Sequence, residues 1–490
     1  MTSSSVLPTP ARRAVRALDD RTLAAAVVLT GLGIRLAFAL SQRGEEVGGD
    51  AYYFHGQANL LADGRGFVNP LTSALEGADL AAAEHPPLYS TYLALWSLVG
   101  VRSVTGHLVA SALLGTATVV LVLSAGQRLA GPRAGLLAGL AAAVHPNVWV
   151  WDGILLSETA AGTAVALFLW LAVRMFERPD VARLVAVGAS VGLAALTRSE
   201  LIVLGVALVP LARLLRTAGT GSPSTRSERP GGSGGSADTR RRGRSGRPPG
   251  AAVAAVMAFA ALAGVIVPWA AYNQTRFEHP VPLSTGAGLV LVSSNCETTY
   301  SGALLGYWDF GCSINGRLRS DLPAREDASV VDRALRRDAT DFARDNADRL
   351  PVVALARLGR VLGLFRPLQQ VALLERSEGV PEWIGAAGLG TWYLLAGLAA
   401  IGVRTLRLAR VTVVPFVAPM VTVLVVAVTV YGIWRFRMPG DVAVCLLAGV
   451  GADALLRSRM EADRAPDRSH GVLGRAVAGQ PAAKAAAPRS

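Results

Sequence analysis

Five short stretches place acids, bases and cations where an otherwise apolar chain is interrupted: "GGDAYYFHGQA" (48–58), "EHPPLY" (84–89), "WDGILLSE" (151–158), "TRSE" (197–200) and "WRFRMPGD" (434–441). Asp50 follows two glycines and precedes a run of aromatic and small residues. Two readings are open for it: the N-cap of a helix beginning at Ala51, where Asp is favoured, or a catalytic carboxylate held at a membrane surface. Glu158 opens an apolar helix, and an ionisable group at such a boundary costs free energy unless it is solvated or paired, which makes it a functional candidate. Its plainer reading is a first-turn carboxylate facing the helix dipole. His85, Arg198, Arg435 and Arg437 supply cations. Guanidinium groups hold phosphate oxygens by paired, charge-assisted hydrogen bonds, although snorkelling to lipid headgroups is the simpler account of any one arginine. Carboxylates, cations and the aromatic walls Tyr53, His55 and Tyr89 at one lipid–water boundary would suit a lipid-linked phosphate donor.

These residues need a membrane scaffold, and the composition provides one. Of 490 residues, 52% are hydrophobic and only 17% charged, and the mean hydropathy is +0.40. The apolar runs are about 20 residues long, the length a helix needs to span hydrocarbon. The net charge of +13 comes almost wholly from arginine, Lys484 being the single lysine. Many of these arginines sit in the N-terminal tail, a mid-chain loop and the C-terminal tail, the places that the positive-inside rule assigns to the cytoplasm. Surface charge and topology account for them, and no zinc-finger or RNA-binding signature points to nucleic acid.

The expected fold is all-α and polytopic, with about ten spans and both ends in the cytoplasm. A tail over 1–21 leads to a membrane half at 22–216, whose first outer loop, 42–86, carries Asp50. Spans are expected near 22–41, 104–127, 134–150, 157–175, 181–197 and 200–216. The N-terminal apolar run is too long for the core of a cleavable signal and reads as a retained span. The stretch "PPLYSTYLALWSLVG" (86–100) reads as an interfacial helix anchored by Tyr89, Tyr92 and Trp96; a full crossing would put Arg128 and Arg133 outside. Residues 217–249, rich in Gly, Ser, Pro and Arg, read as a disordered cytoplasmic linker. The second half, 250–456, has spans near 250–270, 385–403, 411–431 and 438–456 and an outer loop at 271–384 with an exposed charged helix. A disordered tail (457–490) follows.

Of three cysteines, Cys445 lies in an apolar run, while Cys296 and Cys312 share the outer loop, where disulfides persist, and are expected to pair. Neither CxxC nor HExxH occurs, so no dedicated metal site is indicated. "GASVG" (188–192) matches a nucleophile pattern but falls inside a span, and "NQT" (273–275) matches a glycosylation acceptor but abuts Trp269 at the membrane surface.

In order and spacing, "GGDAYYFHGQANLLADGRGF", "EHPPLYSTYLAL", "LLSET", "LTRSE", "PWAAYNQTRF" and "WRFRMP" resemble the GT-C superfamily of integral-membrane glycosyltransferases, specifically glycosyltransferase family 39. That family includes protein O-mannosyltransferases and the lipid A aminoarabinose transferase. The resemblance implies a polyprenyl-phosphate sugar donor and transfer on the extracytoplasmic face of the cell membrane. It also implies that Asp50 is the catalytic base, that Glu158 is the second acidic residue and that His85 stands at a cation position near the carrier phosphate. The acceptor would be a lipid, glycan or protein hydroxyl. The short second half, without a large soluble domain, departs from the protein mannosyltransferases.

Polyprenyl phosphate is a good leaving group, so such an enzyme must mainly stabilise the departing phosphate charge, by the arginines or a loosely held divalent metal ion. A carboxylate would deprotonate the acceptor as general base. Direct displacement would invert the anomeric carbon without the glycosyl-enzyme of two-carboxylate retaining hydrolases. The main rival is a transporter or flippase of lipid-linked sugars, which would carry ionisable residues near span centres. Arg35 is the best such residue. A catalytically dead scaffold is a third reading, disfavoured by intact Asp50 and Glu158.

Overall fold

The computed structural model describes residues 9–44, 47–219, 250–314 and 326–464. Most of the expected linker, the start of the N-terminal tail and the C-terminal tail from 465 lie outside them. The described residues are helical throughout, and their strand-like contact is an isolated antiparallel bridge between Val68 and Ala81.

Six helices are long and apolar enough to cross a membrane: Asp20–Ser41, Val104–Ala130, Glu158–Glu177, Ala251–Gln274, Glu382–Leu408 and Trp434–Glu461. The chain is a multi-pass membrane protein, with six such helices among the described residues, or seven if the bent pair Pro132–Val144 and Pro146–Gly153 counts as one span. Ten spans are not found, for reasons of local geometry. Hydropathy registers apolar residues but not helix breaks. The expected 134–150 span bends by 73° because Pro146 has no N–H to donate and pushes His145 out of helical conformation, to φ −68°, ψ 114°. The expected 200–216 span divides into a 3-10 segment, Ser199–Ala207, and a helix, Leu208–Gly219. Val181–Ala195 and Val414–Thr429 are helices of 15 and 16 residues. At about 1.5 Å per residue these fall short of a hydrocarbon core of about 30 Å.

Trp434–Glu461 is the axis of the bundle, with 78% of its apolar window buried, whereas Asp20–Ser41 lies at the periphery with 17%. The closest helix pairing uses glycine. A Cβ on Gly451 would lie 1.9 Å from the Leu398 carbonyl oxygen, and one on Gly402 would lie 2.0 Å from that of Leu447. Without a hydrophobic drive between helices in lipid, such close backbone approach is a main source of association.

The expected candidate for a transport path is a buried, paired charge. Arg35 is fully buried, with Nε 2.8 Å from Asp152 Oδ2, and its Nη atoms donate to the carbonyls of Gly31 and Ala142. Asp152 also accepts from Thr159 Oγ1 at 2.7 Å. Gly115 makes room for it, since a Cβ there would lie 2.0 Å from Asp152 Oδ2.

Outside the spans, the expected interfacial helix forms over Leu88–Leu98, too short to cross. Tyr89 is not a membrane anchor: it is fully buried in the protein, where its hydroxyl meets Ser111 Oγ at 2.6 Å. The charged helix forms over Ala328–Asp345, with Leu335 and Ala339 packed against Val292 of Ala287–Ser294. The structure pairs Cys296 with Cys312.

Candidate functional site

The site is built around Arg435. The chain reaches it through an extended Ile433 (φ −121°, ψ 138°) and a single 3-10 turn, Trp434–Arg437. Its guanidinium joins three acids from distant parts of the sequence. Nη2 donates to Asp50 Oδ2 at 2.6 Å, Nε donates to Glu158 Oε1 at 2.6 Å, and Nη1 lies 3.2 Å from Glu378 Oε2. Arg198 lies beside it, with Nη1 2.6 Å from Glu158 Oε1 and Nε 2.6 Å from Glu200 Oε1. Both guanidiniums cover the Phe436 ring, Arg198 at 4.5 Å and Arg435 at 5.2 Å from its centroid. An aromatic face attracts a cation through its quadrupole, so one phenyl ring helps to keep two like charges close together.

Asp50 does not cap its helix. The helix runs Gly49–Ala62 with Gly48 at the N-cap position and no side-chain cap bond. Gly48 is extended and Gly49 turns through φ +54°, a region that glycine enters without a Cβ penalty. This pair of glycines leaves the Asp50 carboxylate on the wall of a cavity of about 1630 Å³. Single small-molecule sites run to about 300–1,000 Å³, so the space would hold two substrates side by side. Asp50, His85, Arg198, Glu200, Glu378 and Arg435 all line it.

Burial alone would raise the Asp50 carboxyl, but the Arg435 guanidinium, followed by His85, outweighs it and holds the group well below the usual carboxylate range. Glu378 goes the other way. Burial raises it and the neighbouring Glu158 and Asp50 charges add to that, with Arg435 only partly offsetting. Burial would lower Arg198, yet Glu200 and Glu158 hold it above its ordinary value.

His85 Nε2 stands 3.4 Å from Asp50 Oδ1, its ring packed on Phe54 at 4.7 Å and Tyr53 at 5.1 Å. The remaining expected site residues fall elsewhere. Glu158 is fully buried behind the arginines and does not line the cavity. Arg437 points into the bundle, paired with Asp441 at 2.9 Å and lying 4.0 Å from the centroid of a Trp392 ring, with no face on the cavity. Tyr53, His55 and Tyr89 are not cavity walls either. Tyr53 and Tyr89 form a layer behind His85 together with Phe54, and His55 faces His107. Serine of "GASVG" donates to its own helix, Ser190 Oγ to the Val187 carbonyl, and Asn273 of "NQT" is fully buried, donating to the Val281 carbonyl.

Among the described residues no group of three or more His, Cys, Asp or Glu side chains could hold a metal ion. At the cavity the Arg435 guanidinium itself stands among the carboxylates that would be ligands, so the residues present do not fit a divalent ion in this arrangement.

Glu378 and Glu200 line the cavity without a role that residue type and spacing assign them. Glu378 did leave a signal. It is the last residue of the helix Pro367–Glu378, ahead of Gly379 at φ +69°, and a carboxylate at a helix C-terminus opposes the dipole. Such a charge is retained against local preference when another group uses it.

Comparison with known proteins bears on part of this. Residues 84–220 match the model of the dolichyl-phosphate-mannose-protein mannosyltransferase family, a stretch that holds His85, Glu158 and Arg198 but neither Asp50 nor Arg435. No curated protein gives a match to the sequence. Among solved structures, the archaeal oligosaccharyltransferase AglB from Archaeoglobus fulgidus, in complex with an inhibitory peptide and a dolichol-phosphate, is 13% identical at a TM-score of 0.43, with 89% of this chain and 52% of that chain covered. ArnT from Cupriavidus metallidurans bound to undecaprenyl phosphate is 16% identical at a TM-score of 0.38, with 90% and 79% covered. The Archaeoglobus fulgidus oligosaccharyltransferase in complex with Zn and sulfate is 11% identical at a TM-score of 0.43, with 88% and 50% covered. The chain spans about half the length of these oligosaccharyltransferases. At TM-scores below 0.5 the likenesses decide neither fold nor activity.

Proposed function

We propose that the chain is a membrane glycosyltransferase that moves a sugar from a polyprenyl-phosphate-linked donor to an acceptor hydroxyl on the extracytoplasmic face, with inversion and with Asp50 as general base. The observation that carries this is the Asp50–Arg435 pair on the wall of a cavity large enough for two substrates. The family match over residues 84–220 supports the donor class. Both chain ends would lie in the cytoplasm and the acceptor would be a lipid, glycan or protein.

The charge balance shapes the mechanism. Around Arg435 and Arg198 the acids Asp50, Glu158, Glu200 and Glu378 outnumber the two cations, so a phosphate held there would not meet an unpaired guanidinium; Arg276, also on the cavity wall, donates to the Phe67 and Ala82 carbonyls instead. It would have to displace a carboxylate from a guanidinium. Asp50 is the exchangeable partner, because its side chain is 33% exposed while those of Glu158 and Glu378 are 0% and 8%. Once a donor phosphate holds Arg435, Asp50 loses the contact that most depresses its proton affinity, and that affinity rises. Donor binding would thereby turn a paired carboxylate into a competent base. Arg435 and Arg198 would stabilise the departing phosphate, and the acceptor proton would pass to Asp50. Glu158, touching only the arginines, would be a positioning residue. Arg35 gives a transporter no support, since its pairing with Asp152 already accounts for it.

The test uses purified protein in membranes, a labelled polyprenyl-phosphate sugar and a panel of acceptors. Wild type should transfer label, and Asp50→Asn should fold yet lose about 10²–10⁴-fold in rate, the usual worth of general-base catalysis. Transfer by a folded Asp50→Asn protein at the wild-type rate would defeat the mechanism.

A further inference from the structure

His55, expected as a wall of the site, belongs to a different device on the same helix. Its Nδ1 lies 3.0 Å from His107 Nδ1, His107 Nε2 lies 2.9 Å from Ser97 Oγ, Ser97 Oγ donates to Asn59 Oδ1 at 2.8 Å, and Asn59 Nδ2 lies 3.4 Å from His55 Nε2. The four side chains close a ring. Proton placement follows from two bonds: Asn59 Nδ2 also donates to the Arg102 carbonyl at 3.1 Å, which orients its amide, and Ser97 Oγ has Asn59 Oδ1 at 2.8 Å as its nearer acceptor, the Leu93 carbonyl lying at 3.4 Å. With the Ser97 hydroxyl proton on Asn59, Ser97 must accept from His107 Nε2–H, which leaves His107 Nδ1 bare to accept from His55 Nδ1–H. His55 Nε2 is then bare and accepts from Asn59 Nδ2–H. Within the ring every member donates once and accepts once, and the ring closes only when both imidazoles are neutral.

An added proton has no place in it. On His55 Nε2 it would face the Asn59 amide N–H, and on His107 Nδ1 it would face the His55 N–H. The elements joined are Gly49–Ala62, which begins at Asp50, Leu88–Leu98 with Ser97, and Val104–Ala130 with His107. Charged neighbours do not compensate. From the linking segment, Arg102 is paired to Asp63 at 2.6 Å. On the short helix Pro70–Glu76 the ionisable group, Glu76, is exposed. Tyr92 of Leu88–Leu98 gives its hydroxyl proton to the Ala110 carbonyl. Burial lowers His55, in keeping with a neutral ring.

We propose that the His55–His107–Ser97–Asn59 ring is a neutral clamp that positions the Asp50 helix, and that protonation of either histidine opens it. His55 and His107 are positioning residues, and the clamp's bearing on catalysis rests on the function proposed above. The clamp itself can be tested without activity. Hydrogen–deuterium exchange of full-length protein in lipid nanodiscs, corrected for intrinsic rates, is compared at pH 7.5 and 5.0. Wild type should show at least tenfold faster exchange over 49–62 at pH 5.0. His55→Gln and His107→Gln should exchange faster than wild type at pH 7.5 and change little between the two pH values. The double variant should be no worse than the worse single, because one break opens the whole ring. Both variants retain His85 and its contact with Asp50, so that contact is common to every protein compared. Equal exchange over 49–62 at both pH values in wild type, or additive effects of the two substitutions, would overturn the clamp. Loss of sugar transfer in every protein with these exchange results intact would instead overturn the proposed function alone.

Discussion

Arg435 and Asp50 stand 385 residues apart in the chain and 2.6 Å apart in space. The contact ties the first polar segment after the N-terminal span to the entry of the last one. It does so through a guanidinium that also holds Glu158 and Glu378. Four elements therefore converge on a single side chain. The shape of the cavity and its charge pattern cannot be varied independently.

Removing that side chain should unfold the site as well as disable it. Arg435→Gln leaves Glu158, with its side chain fully buried, facing Arg198 alone and strands Glu378. Breaking a buried ion pair by deleting one partner costs about 3–5 kcal/mol. Thermal unfolding in detergent should show this as a clear fall in midpoint. Adding Glu158→Gln to Arg435→Gln should recover part of it. If Arg435→Gln melts with wild type, the network is not holding these elements together.

Glu378 gives a prediction of opposite sign. Its carboxyl is raised, first by burial and then by Glu158 and Asp50. An acid raised in the folded state binds more protons there than in the unfolded chain, so its ionisation costs stability as pH climbs above the unfolded value of about 4.3. Glu378→Gln mimics the protonated form. The variant should be more stable than wild type at pH 7.5, and the gap should close as pH falls below about 4.3. A variant less stable than wild type at pH 7.5 would show that the ion pair with Arg435 outweighs burial.

Much of this was readable in the chain, and the failures have physical causes. The polar stretches were legible because an ionisable group among apolar residues has few reasons to be there, and Asp50, His85, Arg198 and Arg435 do meet at one cavity. Arg437 was misassigned because spacing cannot tell its direction from that of Arg435. The two flank Phe436 in one 3-10 turn, and one faces the cavity while the other meets Asp441. Ten spans are not shown, because at Pro146 and at Ser199 apolar composition continues through a backbone that leaves the α-helix. Glu378 stands out only by its place at the C-terminus of Pro367–Glu378, a weaker mark in a polar segment rich in acids than an acid among apolar residues.

The disulfide can be counted chemically. Cys296 and Cys312 are bonded across a separation of 16 residues, and Cys445 is buried and free. Alkylation in denaturant should label only Cys445 before reduction and all three cysteines after it. Closing a loop of this length stabilises by about 3 kcal/mol in the chain-entropy account. Cys296→Ser should therefore lower the unfolding midpoint to about the level of the reduced wild type. Labelling of three thiols without reductant would remove the crosslink from the fold.

The pair formed by Arg35 and Asp152 separates a structural charge from a transport charge. Both side chains are fully buried; Arg35 Nη atoms donate to backbone carbonyls and Asp152 Oδ1 accepts from Thr159, while Arg35 Nε and Asp152 Oδ2 have only each other. If the pair only holds helices together, Arg35→Ala should destabilise by about 3–5 kcal/mol, whereas replacing both by apolar residues of similar size should be close to neutral. Gly115→Ala should act on the same contact from outside it, because the new methyl group would fall on the Asp152 carboxylate, and overpacking costs about 1–3 kcal/mol. The decisive comparison is sugar transfer by the Arg35→Met, Asp152→Leu double variant. A protein that melts near wild type and keeps its transfer rate assigns this charge pair to the scaffold. One that melts near wild type but loses transfer would bring Arg35 back onto a substrate path.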